Sequence, residues 1–185
     1  MERMKYIVMI VIAVVSLLAT ENSTERDRIV SLYKQGEFGQ VCKAGMVRYY
    51  AGNDEPHFAA MVGMACAKVD EINPLGALQR NLVDTPALRS TATYFSTLVL
   101  VKRLLYQHFI DGIALDGYVL PKYDHVLSIV YDHVSRGDFT QMGTGMIRIE
   151  AGSRSIFVSA SDDDPVRLLV DEYEGAKLLH RHWFQ

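Results

Sequence analysis

The chain predicts an α+β fold, mainly an array of α-helical hairpins followed by a small C-terminal antiparallel β meander. Three observations carry this. Between Pro86 and Gly112 lie 25 residues without Gly or Pro, enough for one helix of about 40 Å. Upstream of it, shorter stretches with apolar residues at helical spacing are punctuated by Gly and Pro. From Thr140 onward the apolar period changes to two, the period of strands.

The first element stands apart. Met1 to Lys5 is a short basic start, and Tyr6 to Ala19 is an apolar run interrupted only by Ser16. That run is short for a bilayer span and suits the hydrophobic region of a signal peptide. Cleavage is expected after Ala19. Leu17 is large where a small residue is preferred, so retention as a membrane anchor is the alternative. No Cys near the junction allows lipoprotein processing. The expected organisation is residues 1–19 as signal peptide, 20–139 as helical domain and 140–185 as β meander docked on the helices.

Thr24-x-x-Asp27 resembles a capping box and opens a first helix through Ile29, Leu32 and Tyr33, stopped by Gly36. Phe38 to Tyr50 is a second helix, and residues 51–54 are a turn. Pro56 opens a third helix, with Phe58, Met61, Val62, Ala65, Cys66 and Val69 at helical spacing. Asn73-Pro74 starts a short fourth helix ending near Val83. Thr85 caps the long helix, Pro86 suits its first turn and Gly112 its end. This helix is apolar around most of its circumference and needs neighbours on several sides. Ser96, Thr97, Lys102 and Arg103 interrupt it, which argues against a membrane span. Pro121 is expected to open a sixth helix. Beyond the Gly143-Thr-Gly145 joint, 146–150, 155–160, 166–173 and 176–183 read as three or four strands.

Leu32-Tyr33-Lys-Gln-Gly36-Glu-Phe38-Gly-Gln-Val41 resembles the middle of a tetratricopeptide unit, in which Gly-x-aromatic marks the turn. The resemblance covers about one repeat of 34 residues. The repeat's Trp and Ala-x-x-x-Phe positions have no counterpart, and Gly45 stands where a large aromatic is usual. The resemblance implies stacked helix pairs used for protein–protein contact in a bacterial periplasmic protein.

Net charge is −3, and removing Met1 to Ala19 takes away Arg3, Lys5 and Glu2 to leave −4. A negative chain without a basic run excludes nucleic acid as the main partner. The absence of a Gly-rich phosphate loop implies no nucleotide cofactor, and no cofactor of any kind is expected.

Cys42 and Cys66 are the only cysteines. Placed on either side of the 51–54 turn, they come within about one helical turn of each other in an antiparallel hairpin. A disulfide is expected, closing about 25 residues and contributing about 3 kcal/mol. Tyr123-Asp-His-Val126 recurs as Tyr131-Asp-His-Val134. On one helix the two histidines diverge by about 80°, so Tyr and Val are expected to pack while Asp and His face water. His180-x-His182 lie on one strand face and supply half of a tetrahedral shell. A third ligand would have to come from elsewhere, such as Asp162, Asp163 or Asp164, so the pair reads as a polar strand face beside a capped acidic turn and no metal site is expected. Trp183 and Phe184 end the last strand and are candidate partner contacts.

No Gly-x-Ser-x-Gly, His-Glu-x-x-His or oriented Cys/His pair occurs, so no catalytic residue is expected. The predicted function is that of an exported, non-enzymatic interaction or structural subunit of a bacterial envelope assembly, such as a secretion or flagellar machine. Its partners would be other periplasmic or envelope proteins, and it would meet the membrane only through an uncleaved N-terminal segment. Two alternatives belong to other classes. One is a periplasmic small-ligand-binding protein with its pocket between the long helix and the meander. The other is a metal-dependent enzyme using His180 and His182.

Overall fold

In a computed structural model, which describes residues 24–115, 117–143 and 145–185, helices precede an antiparallel sheet. Residues 24–34 are helical and form α1; the expected signal peptide lies outside the described residues. α2 (Phe38–Tyr50) and α3 (Pro56–Lys68) follow, then α4 (Leu75–Leu78) with a 3-10 turn at Gln79–Asn81. α5 is Pro86–Asp111 and α6 is Val126–Ser135. Five strands complete the chain: β1 (Thr140–Gln141), β2 (Met146–Ala151), β3 (Arg154–Ala160), β4 (Leu168–Glu174) and β5 (Lys177–Phe184).

The helix starts show how local chemistry sets the boundaries. The Glu55 carboxylate accepts from His57 N and Phe58 N ahead of α3, and the Thr85 hydroxyl accepts from Leu88 N ahead of α5. Pro56 and Pro86 occupy first-turn positions, where a missing N–H costs nothing. Pro121 does not open a helix. The His125 side chain caps α6 instead, its Nδ1 accepting from Leu127 N. Thr24, expected as a cap, is already helical.

α2 and α3 are bridged by a disulfide between Cys42 and Cys66, whose Cα atoms lie 4.8 Å apart. Two glycines permit close packing nearby. A Cβ on Gly45 would lie 2.3 Å from Val62, and one on Gly63 would lie 2.3 Å from the Phe95 ring. The position that departs from the repeat pattern is therefore the contact point of α2 and α3. α5 runs against α3, α4, α6 and the sheet. It buries Leu88, Phe95, Leu98, Val101, Leu104 and Leu105, while Leu100 stays exposed. The stripe is thus one broad face, and among the described residues no helix is long and apolar enough to cross a membrane.

The sheet has the order β1-β2-β3-β4-β5 with every pair antiparallel, a meander with one more strand than expected. β4 begins at Leu168, two residues later than its pattern suggests. Ile147, Ile149, Ile156, Val158, Leu168, Val170 and Phe184 face inward and join the helical core. β3 and β4 meet α5, and β2 meets α6. The helices thereby cover the hydrophobic face of the sheet.

Candidate functional site at the helix–sheet junction

Polar side chains gather where the inner face of the sheet meets the end of α3. Inward positions of β5 alternate Phe184, His182 and His180, and those of β4 alternate Leu168, Val170 and Glu172. The two strands are paired so that these series share one face. Two carboxylates hold the imidazole of His182. Its Nδ1 lies 2.8 Å from Asp70 Oδ2 and its Nε2 lies 2.9 Å from Glu172 Oε1. Arg154 of β3 donates to the other oxygen of Glu172 at 2.7 Å. The His182 ring also stacks on Phe184, with centroids 6.1 Å apart.

Burial alone would push the His182 imidazole down. The hydrogen bond and charge of Asp70, then those of Glu172, outweigh it and hold the group above the ordinary value of 6.5. His125 behaves oppositely. Its Nε2 faces Ala67 O at 3.3 Å, and burial pushes it below 6.5 against that hydrogen bond and the charge of Asp70. The Tyr94 phenol, which bounds the same region, is pushed up to about 12 by burial and then by the charge of Asp124. A cleft of about 350 Å³ opens here, lined by His180, His182, Glu172, Arg154, His125 and Lys68 among others.

Several expectations change at this junction. His182, expected on a polar strand face beside an acidic turn, has its side chain 16% exposed, and both ring nitrogens face carboxylates. The acids that reach it are Asp70 and Glu172, whereas the 162–164 turn is organised by Ser161, whose hydroxyl accepts from Asp163 N and Arg167 N. The repeated Tyr-Asp-His-Val motif does not lie on one helix. Its first copy straddles the start of α6, with Tyr123 to His125 ahead of the helix and His125 turned inward, while His133 pairs with Asp138 at 2.9 Å.

Lys102 is a second unexpected residue. It lies on the buried face of α5 between Leu98 and Leu105, only 5% exposed. Its ammonium donates to Asn73 Oδ1 and to the carbonyl oxygen of Gln185, tying α5 to the residue that follows β5. Burial, then the charge of Arg103, pushes it below the usual lysine value, with Glu71 opposing. Tyr106 adds another tie, donating to Val166 O at 2.7 Å.

The solvent face of the sheet has a different character. Cross-strand rows place Arg148, Phe157, Asp171 and Arg181 in one line and Ser155, Tyr173 and Leu178 in another. Phe157 and Tyr173 meet edge to face at 5.4 Å, and a groove of about 440 Å³ beside them is bordered by Met146, Arg148 and Asp171. Trp183 lies on this face, 44% exposed, with Arg167 over its ring at 5.8 Å. Phe184, the other candidate contact, is 1% exposed and belongs to the core. Strand alternation separates the two neighbours.

No protein-family model, curated protein or solved structure matches the chain.

Proposed function

We propose that the protein is an exported, non-enzymatic interaction or structural subunit of a bacterial envelope assembly, and that the outer face of its sheet is the contact surface. The observation that carries this reading is the exposed Trp183, opposite Leu169 on a face that also presents Phe157, Tyr173 and, further along β5, Leu178. Aromatic side chains with a cationic neighbour are the residue types that interface anchors use. Support for export comes from the basic and apolar N-terminal segment together with the Cys42–Cys66 bridge, which suits an oxidising compartment. The resemblance of residues 32–41 to a tetratricopeptide turn adds weight to a contact role.

A photo-crosslinking residue placed at 183 or 178, in intact cells, tests the surface. Position 119 on the helix-to-helix connection, 98% exposed, serves as control. The expected result is a discrete adduct from 183 and 178 that mass spectrometry assigns to an envelope protein and that the control does not form. Equal labelling from all three positions would overturn the assignment of the surface.

A further inference from the structure

The ends of α1, α2 and α6 follow one design, and α3 departs from it in a single residue. After α1, α2 and α6 the residue in left-handed backbone is Gly36, Gly52 or Gly137, each with the paired terminal hydrogen bonds that close such an end. After α3 the same two bonds occur, Glu71 N to Cys66 O at 3.0 Å and Asp70 N to Ala67 O at 3.4 Å, but the left-handed residue is Asp70, with φ of 63°. Glycine relieves strain at such a position, and aspartate gives that up. What aspartate brings here is a carboxylate aimed at His182, 112 residues away in sequence.

The hydrogen-bond chemistry of that contact depends on a proton. A neutral imidazole has one N–H and one lone pair, and ionised carboxylates only accept. His182 faces a carboxylate oxygen at both nitrogens, so both bonds exist together only when the ring is an imidazolium. We propose that His182 is a proton-operated latch, which as an imidazolium ties the end of α3 to the sheet and on losing its proton releases Asp70 and loosens β5 from the helices. The step is a plain deprotonation, with the Nδ1 proton passing to water and no other bond exchanged. Glu172 keeps the remaining N–H, because its side chain is 6% exposed against 25% for Asp70 and water can replace the lost partner only at Asp70. Arg154 continues to neutralise Glu172. The other titratable and charged groups facing the cleft are Lys68 from α3, Tyr94 from α5, Asp124 and His125 from the approach to α6, and His180 from β5. The raised affinity of His182 for its proton agrees with this geometry. The latch is read from the junction alone and does not depend on the partner reading.

The chain's single tryptophan, Trp183, adjoins the latch and reports on β5. The test combines imidazole nitrogen NMR of His182 with Trp183 emission across a pH titration of the folded protein. Expected are a titration midpoint above 6.5, two protonated ring nitrogens below that midpoint, and an emission change that follows it. In Asp70→Asn both midpoints move down together, and in His182→Gln the emission change disappears. Asp70→Gly, which suits the left-handed backbone, is expected to lower the urea midpoint at neutral pH and to cost less at alkaline pH. A His182 midpoint at or below 6.5 overturns the latch. So does emission that stays flat through the His182 titration, or an Asp70→Gly variant more stable than the parent at neutral pH. If His182→Gln does not fold, the Asp70 variants decide the matter.

Discussion

At the scale of single residues, the packing around α3 leaves no room where its glycines stand. Gly63→Ala would drive a methyl group into the Phe95 ring, which is itself fully buried. The expected cost is about 1–3 kcal/mol, the usual penalty for overpacking, measured as a shift of the urea midpoint at constant slope. The C-terminal histidines make a contrasting pair. His182→Ala leaves Asp70 and Glu172 without a partner they now share, and should cost about 1–3 kcal/mol. His180→Ala, on the exposed rim of the same strand, should stay within about 0.5 kcal/mol. Equal effects from the two substitutions would mean that the junction is not organised around His182.

Elements are held together by ties of different kinds. The α2–α3 hairpin is cross-linked, and the bridge spans 24 residues of separation. Cys42→Ala/Cys66→Ala should therefore lose about 3 kcal/mol, with reduction of the parent protein giving a similar loss. Denaturation curves recorded with and without reductant check this. β5 depends on its final residue. Phe184→Ala removes a core ring and should cost about 3–5 kcal/mol, whereas Trp183→Ala should change stability by less than about 1 kcal/mol. The two variants thus separate the pin from the proposed anchor. Loss of crosslinks in Trp183→Ala with folding intact is the result that the interaction reading expects.

For the whole molecule, the two junction histidines impose opposite pH slopes on stability. His182 binds its proton more tightly when folded than the ordinary value of 6.5 allows. Its contribution is complete below 6.5 and is lost as pH rises through the folded value. His125 binds its proton less tightly when folded, so stability falls as pH drops below 6.5 toward its folded value. Together they predict a maximum of stability near 6.5, with the alkaline limb flattened in His182→Gln and the acid limb flattened in His125→Gln. Urea unfolding across a pH series reads both limbs in one experiment.

Local chemistry by itself determined the order of elements, because caps, prolines and apolar period act within a few residues. Thr85-Pro86 and Gly112 bound α5, Phe38–Tyr50 bounds α2, and the change of period after Thr140 marks the sheet. The Cys42–Cys66 pairing was legible because a hairpin turn makes a long-range contact countable along two helices. Part of the junction was also legible. Glu172 continues the inward phase of Leu168 and Val170, and Lys102 sits on the buried phase of Leu98 and Leu105. Only tertiary structure could choose their partners. Asp70 meets His182 across 112 residues and Lys102 reaches Gln185 across 83, and no periodicity encodes which distant group a buried charge will find. The same limit separates Trp183 from Phe184: alternation says that they face opposite ways, and only the docking of the sheet on α5 says which one faces in.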